Sequence, residues 1–198
     1  MSDSGPVTGI MGGSFDPVHY GHIAIAKSFL NSGLISELWL ILTPQSPHKT
    51  DQRITDYNLR LKMLRQAFCD EQNIIISDIE HQLDPPYYTL HTVQHLIKHH
   101  PSRSFRLCIG EDSLTNLDTW HRWREILDYC SLLVASRPSS QTKNLAPGLN
   151  DKVQFIQHNP VEISSTEVRE KCKMGESISK LVPTEVRTII KNNNLYRG

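Results

Sequence analysis

Apolar and polar positions divide this chain into short unbroken apolar runs and segments whose apolar residues recur every three or four places. Residues 7–11 form the first run and predict a short strand. A helical stripe follows at Ile23, Ala26, Phe29 and Leu30, and Asn31-Ser32-Gly33 ends it. Residues 38–42 are apolar without a break, as in a strand covered on both faces. A polar stretch with two prolines, residues 43–53, leads to a helix that Thr55 is placed to cap, with the stripe Leu61, Leu64 and Phe68. Residues 74–76 predict a third strand. Asp84-Pro85-Pro86 is a break, and the helix after it carries Leu90, Val93, Leu96 and Ile97 and stops before Pro101. Residues 105–109 predict a strand ending at Gly110, followed by a helix over 113–127 and a strand over 132–135. Residues 137–150 are rich in Ser, Pro, Gly and Asn and read as a loop. A last strand at 153–156 and helices over 165–173 and 183–191 complete the pattern, with Pro183 at a tolerated first-turn position.

Alternation this regular implies an α/β fold: a Rossmann-like parallel sheet with right-handed crossovers and helices on both faces, plus a small C-terminal helical part. A length of 198 residues suits one domain, 1–198. In such sheets ligands bind at the carboxyl ends of the strands, so residues just after each apolar run are where chemistry is expected. Composition narrows the partners. With 21 basic and 21 acidic residues the formal net charge is zero, which argues against a general nucleic-acid binder. Cys69, Cys108, Cys130 and Cys172 are widely spaced with no Cys-x-x-Cys pair, the pattern of free thiols in a reducing cytosol rather than of a zinc site or disulfides. Residues 1–6 lack the form of a signal peptide, and no apolar run approaches the ~18 residues of a membrane span. A cytoplasmic protein with no membrane partner is expected; no exposed apolar stripe decides the oligomeric state.

Residues 11–22 read Met-Gly-Gly-Ser-Phe-Asp-Pro-Val-His-Tyr-Gly-His. Glycines at a strand-to-helix turn let backbone N–H groups approach an anion, and the helix start adds unsatisfied donors and partial positive charge. Two imidazoles beside that turn suit contact with phosphate oxygens. The stretch is neither Gly-x-Gly-x-x-Gly nor a Walker-type loop. A second element, Ile163-Ser164-Ser165-Thr166-Glu167-Val168-Arg169, couples a helix cap to an arginine one turn along, whose planar fork suits phosphate. Alone it is a good helix start; beside the first element it reads as a second phosphate clamp. His91, His95 and His99 recur at i, i+4 and i+8, a spacing that could bind Zn²⁺ or Ni²⁺, but no cysteine or carboxylate cluster completes such a site, and a solvated helix face is the preferred reading.

His-x-Gly-His and Ile-Ser-Ser-Thr-x-x-Arg are the signatures of the nucleotidylyltransferase superfamily, and this chain resembles it. Within the superfamily it resembles the bacterial nicotinate-nucleotide adenylyltransferases. Further stretches match in order: Ser46-Pro47-His48-Lys49, Tyr88-Thr89, Gly110-Glu111-Asp112-Ser113-Leu114 with Trp120 following, Ser136-Arg137-Pro138 and Leu181-Val182-Pro183. The resemblance implies adenylyl transfer from ATP to nicotinate mononucleotide, giving deamido-NAD and pyrophosphate in NAD biosynthesis, with Mg²⁺ accompanying ATP and no protein nucleophile. It implies His19, His22 and Arg169 as catalytic residues, with His22 at the α-phosphate. Gly12, Gly13, Ser14, Phe15, Ile163, Ser164, Thr166 and Arg137 would hold ATP. His48, Lys49, Thr89, Gly110, Asp112 and Trp120 would hold the pyridine nucleotide, with Trp120 stacking on the ring. An imidazole pKa near neutrality would make a charged donor accessible. Asp112 doubles as a candidate helix cap, and Trp120 and Trp123, three apart on one expected helix, compete for core and ligand roles.

The chain departs from the family at three places. His91 stands where Asp is usual, Glu111 adds a carboxylate in Gly-Glu-Asp, and His121 stands where the residue after the tryptophan is often aromatic. Other acceptors, nicotinamide mononucleotide or phosphopantetheine, remain alternatives. The phosphopantetheine enzymes, however, lack the stretches around Gly110 and Trp120. A non-catalytic nucleotide-binding module is disfavoured by intact His19, His22 and Arg169, and an oxidoreductase by the missing dinucleotide fingerprint.

Overall fold

In a computed structural model, which describes residues 6–45, 54–136 and 149–197, the apolar runs become six strands. They are β1 (Val7–Gly13), β2 (Glu37–Leu42), β3 (Ile74–Ser77), β4 (Ser104–Gly110), β5 (Ser131–Ser136) and β6 (Val153–Gln157). They form one sheet in the order β3-β2-β1-β4-β5-β6, every neighbouring pair parallel. The helices are α1 (Tyr20–Asn31), α2 (Tyr57–Ala67), α3 (Thr89–His99), α4 (Glu111–Thr115), α5 (Trp123–Tyr129), α6 (Ser165–Met174) and α7 (Thr184–Asn192).

The unbroken apolar run of β2 has the cause its sequence suggests. Leu38, Leu40 and Leu42 enter one core, under α1, α2, α6 and α7. Trp39 and Ile41 enter a second, with Leu90, Val93 and Leu96 of α3 and Ile126 and Leu127 of α5. The period of two sorts each strand between two covered faces. The C-terminal helices join the first core through Val168, Val186, Ile189 and Ile190. The chain runs outward from β1 through β2 and β3, then crosses to β4 on the other side of β1, so a crevice opens at the carboxyl ends of β1 and β4.

Three local expectations are corrected. Asp56, not Thr55, caps α2: its Oδ1 accepts from the N–H groups of Asn58 (3.0 Å) and Leu59 (3.2 Å). Thr55 stays outside the helix because its N–H donates to Asp16 Oδ2 and its carbonyl accepts from Arg60 Nε. The helix expected over 113–127 is broken into α4, a 3-10 turn at Leu117–Thr119 and α5, with Trp120 extended and Arg122 left-handed between them. Its polar residues turn back on their own backbone, Thr115 Oγ1 to the Glu111 carbonyl, Asn116 Nδ2 to that of Asp112 and Thr119 Oγ1 to that of Asn116. Pro183 is the N-cap of α7 rather than part of its first turn, with extended backbone. His48, Lys49 and Arg137 lie outside the described residues, as does most of the expected 137–150 loop. Among the described residues no helix is long and apolar enough to cross a membrane.

One buried cation fixes the loops at this end of the sheet. Arg60 of α2 is 1% exposed. Its Nε donates to the Thr55 carbonyl (2.9 Å), Nη1 to those of Ser14 (2.8 Å) and Thr43 (2.9 Å), and Nη2 to that of Pro44 (2.8 Å). One guanidinium thus ties the segments after β1 and β2 to the start of α2. Arg60→Met should leave these carbonyls without donors and destabilise the protein by about 3–5 kcal/mol. Arg65→Met, on the same helix but 57% exposed and 3.9 Å from Asp78, should change stability by less than ~0.5 kcal/mol. Urea unfolding of the two variants measures the contrast, and equal midpoints would refute the role given to Arg60.

Candidate active site

β1 ends on Gly12 and Gly13, and the two glycines do different things. A Cβ on Gly13 would sit 2.9 Å from Phe15 Cζ, so the bare backbone is what lets the Phe15 ring fold beneath it. Phe15 is 2% exposed and holds a left-handed φ of 45°, which its burial enforces. A Cβ on Gly12 would meet no protein atom within 4 Å. Its missing side chain therefore serves open space in the crevice rather than packing.

His19 is the extended N-cap of α1, and its N–H donates to Nδ1 of His22 (3.3 Å), one turn on. The two rings stack, with centroids 3.8 Å apart and planes at 29°. Gly21 between them is required by crowding: a Cβ there would lie 3.0 Å from the His19 ring and 3.1 Å from the Val161 carbonyl. His19 is 5% exposed and its Nδ1 has no hydrogen-bond partner among the described residues. Burial pushes its pKa down to about 4. Burial, and then repulsion from His19, holds His22 well below the ordinary imidazole range. The expectation of pKa values near neutrality is thus corrected for the unliganded protein: both rings are neutral. Because His22 Nδ1 accepts a hydrogen bond, its proton sits on Nε2, giving a neutral donor on the crevice wall.

The distant Ser164–Arg169 element meets this turn. Ser164 caps α6 by accepting from the Glu167 N–H (3.1 Å), and Ser165 Oγ donates to the Pro17 carbonyl (2.9 Å). Arg169 Nη1 donates to the Asp16 carbonyl (2.8 Å) and Nη2 to Thr166 Oγ1 (3.2 Å). The Asp16 carboxylate accepts from the Tyr196 hydroxyl (2.6 Å) and the Thr55 N–H (3.2 Å). Asp16, Arg60 and Tyr196 organise the turn, and sequence reasoning missed all three. No spacing flags them; the only local sign is a polar residue sharing a predicted turn.

A cavity of about 320 Å³ opens at the carboxyl ends of β1 and β4. It gathers Gly12, Gly13, Ser14, His22, Thr89, Gly110 and Trp120 from the expected set, with Tyr88, Thr92 and His121 beside them. His19 lies against His22, and Phe15 against Gly13, outside the wall itself. Arg169 bonds to the Asp16–Pro17 turn, as Ser165 does, and Ile163, Ser164, Thr166 and Arg169 do not line the cavity. Asp112 does not line it either: it is exposed in the first turn of α4, which Gly110 caps, so the expected capping role also fails. Trp120 lines the cavity because the break before α5 leaves it on an extended link. Trp123 begins α5, where it packs on the second core and beneath the Arg124 guanidinium. His95 and His99 stack on each other, while His91 turns toward Tyr88. Among the described residues no group of three or more His, Cys, Asp or Glu side chains is arranged to hold a metal ion.

A crevice at the switch point of a parallel sheet, with a glycine turn and a histidine pair at its mouth, defines a nucleotide-handling α/β protein. Residues 10–171 match the cytidylyltransferase-like family, and the chain belongs to that family. Its relatives named "probable nicotinate-nucleotide adenylyltransferase" include one from Flavobacterium johnsoniae, 34% identical over 96% of this chain and 98% of its own length. One from Clostridium novyi is 34% identical with the same coverage, and one from Rhodopirellula baltica is 36% identical over 96% of this chain and 92% of its own. In fold the chain is similar to Plasmodium falciparum nicotinic acid mononucleotide adenylyltransferase complexed with NaAD, with a TM-score of 0.77 at 21% identity over 96% of this chain and 97% of that one.

Two measurements test this geometry. Gly12→Ala should leave the melting temperature within a degree or two and abolish most nucleotide binding, because the methyl group enters only the crevice. Gly13→Ala should lower stability by about 1–3 kcal/mol through displacement of Phe15. The reverse ranking would mean that Gly12 is a packing residue. The neutral histidines make a prediction in acid. Their folded-state pKa values lie below the unfolded value of 6.5, so the unfolded chain binds more protons and stability falls as pH drops from about 6.5 toward 4. His19→Asn should flatten that fall by about 2–3 kcal/mol in chemical melts at pH 7 and pH 4; an unchanged slope would place the titration elsewhere.

Proposed function

We propose that this protein transfers the adenylyl group of ATP to nicotinate mononucleotide. An oxygen of the mononucleotide's 5′-phosphate bonds to the α-phosphorus of ATP, the bond to the β-phosphate oxygen breaks, and deamido-NAD and pyrophosphate leave. The observation that carries this reading is one continuous cavity with a phosphate end at Gly12, Gly13 and His22 and an aromatic end at Tyr88 and Trp120. The names of the relatives agree with it.

Phosphoryl chemistry of this kind needs alignment of two anions and stabilisation of charge on the transferring and leaving groups. Gly12 gives the nucleotide backbone access without a side chain in the way. His22 donates from Nε2 to an α-phosphate oxygen, and an arriving triphosphate raises the proton affinity of both stacked rings. His19 orients His22 through the backbone bond and the stack. Ser164, Thr166 and Arg169 hold the β- and γ-phosphates beside the Asp16 turn. Arg137, His48 and Lys49 are assigned to phosphate contact on their sequence positions. Mg²⁺ would accompany ATP and would offset charge on its phosphates; the carboxylate of the turn, Asp16, is already engaged by Tyr196 and Thr55. Thr89 and Gly110 shape the acceptor end, and Trp120 stacks on the pyridine ring. We assign the protein to the cytoplasm, in keeping with four free cysteines, two of them buried, with Cys130 pushed up to about 12 by burial.

Purified protein with ATP, Mg²⁺ and nicotinate mononucleotide should release pyrophosphate, and His22→Ala should lower kcat by about 10²–10³-fold with its fold intact. Turnover of phosphopantetheine but not of nicotinate mononucleotide would refute the acceptor, and an active His22→Ala would refute the donor.

A further inference from the structure

Charge is spread unevenly along the chain. The net charge is zero, yet residues 165–198 carry seven basic and four acidic side chains. The fold gathers four of those cations around a second cavity, of about 510 Å³, which shares no lining residue with the nucleotide crevice. It is bounded by the last turn of α6, by α7 and by the tail after α7. Lys173, Arg187, Lys191 and Arg197 line it, and Glu176 is the one carboxylate among its described lining residues. Glu176 is already neutralised from outside the cavity, where Lys171 Nζ donates to its Oε2 at 2.9 Å. The side chains of the four lining cations have no hydrogen bond or ion pair among the described residues. Lys173 and Lys191 sit in the last turns of their helices, where each offsets a helix end worth about half a negative charge. Arg187, before the last turn of α7, and Arg197, in the tail, have no such role.

The cavity is built from the two segments that hold the Asp16 turn. On α6, Arg169 donates to the Asp16 carbonyl, and Lys173, one turn on, lines the cavity. In the tail, Leu195 and Arg197 line the cavity, while Tyr196 between them donates to Asp16 Oδ1 at 2.6 Å. Asn194 takes a left-handed φ of 49°, an ordinary way to end a helix, and the Leu195 N–H closes on the Ile190 carbonyl at 3.0 Å. Tyr196 is left-handed too, at 61°, which is costly for a bulky side chain. The tail keeps its hold on Asp16 against that local cost. A ligand that bridges Arg197 and the helix cations favours the docked tail.

We propose that this cavity is an effector site for a small multiply charged anion, a phosphorylated or polycarboxylate metabolite, and that its occupation locks the tail onto the Asp16 turn and so tightens ATP binding. Arg187 and Arg197 present planar forks that bind phosphate or carboxylate oxygens in pairs, and the lysines add charge. Coupling requires only that the anion bind the docked tail better than the undocked one. The binding claim is independent of the proposed adenylyl transfer; the kinetic effect rests on it.

Binding is tested by calorimetric titration with inorganic phosphate and, separately, with citrate, at fixed ionic strength and without nucleotide. The tighter probe tells phosphate from carboxylate recognition. Arg187→Gln combined with Arg197→Gln should weaken that probe by about tenfold or more, whereas His22→Ala should bind it as the natural protein does. In turnover, read as deamido-NAD formed at constant free Mg²⁺, the saturating probe should lower KM for ATP by about fivefold. The double variant should not respond, and Tyr196→Phe should bind the probe yet lose the response. Melting temperatures check that the variants fold. Binding of neither probe would overturn the site. Binding lost in His22→Ala and kept in the double variant would overturn it as well, by placing the anion in the nucleotide crevice. Binding with an unchanged KM for ATP would overturn the coupling. No turnover by the natural protein, with binding intact, would overturn the functional reading and leave the effector site standing.

Discussion

The site depends on a buried guanidinium. Arg60 sits under the carboxyl ends of β1 and β2 and binds four backbone carbonyls from three loop segments. A cation at 1% exposure is held by carbonyl dipoles and the nearby Asp16, while burial pulls its own pKa down. Loops cannot be packed from apolar side chains alone, because their carbonyls need donors once water is excluded. A planar fork with five N–H groups supplies several from one point, and a lysine could not match its geometry. The turn that carries Ser14 is thereby fixed relative to the end of β2, and the crevice has a rigid lip before any nucleotide arrives. In catalysis by alignment, rigidity of that kind lowers the entropic cost of the reaction geometry.

The histidine pair shows the opposite economy. Stacking two imidazoles 3.8 Å apart in a buried turn makes protonation unfavourable, so the unliganded protein keeps neutral rings where a polyanion is to bind. A permanent cation pair there would repel itself and depress stability. Neutral rings avoid that repulsion and still offer an N–H, and the anion itself brings the field that favours protonation. The same burial that lowers the pKa values in the empty state strengthens each hydrogen bond in the filled one.

Much of this was legible in the sequence. The strand runs gave the sheet because both faces are covered and no polar residue interrupts β2. The glycines were legible because they end the β1 run, where parallel sheets bind ligands, and His22 and Trp120 because they stand in the stretches that carry the family resemblance. What stayed hidden depends on three-dimensional closure. Arg60 looks like any helical arginine until the loops fold over it. Tyr196 is close to the end of the chain, yet its hydroxyl reaches Asp16, 180 positions away. Asp112 was placed in the site by its neighbours in sequence; in the structure it is exposed in the first turn of α4 and is not among the residues that line the cavity. The segment after it misled for a related reason: an apolar period of helical type ran from 113 to 127, while Asn116 and Thr119 bonded to their own backbone and broke it.

That break has a function in the geometry. A continuous helix would have put Trp120 and Trp123 on the same side and committed both to the core. Interrupting it leaves Trp120 extended and His121 in a turn, both lining the crevice, while Trp123 anchors α5. The turn at Asp16 is treated similarly from the far end of the chain, where Arg169 holds its carbonyl and Tyr196 its carboxylate. Both ends of the cavity are therefore shaped by segments that regular secondary structure would have taken away. The sheet supplies the place, and side chains that bond to backbone in these irregular links determine what can bind there.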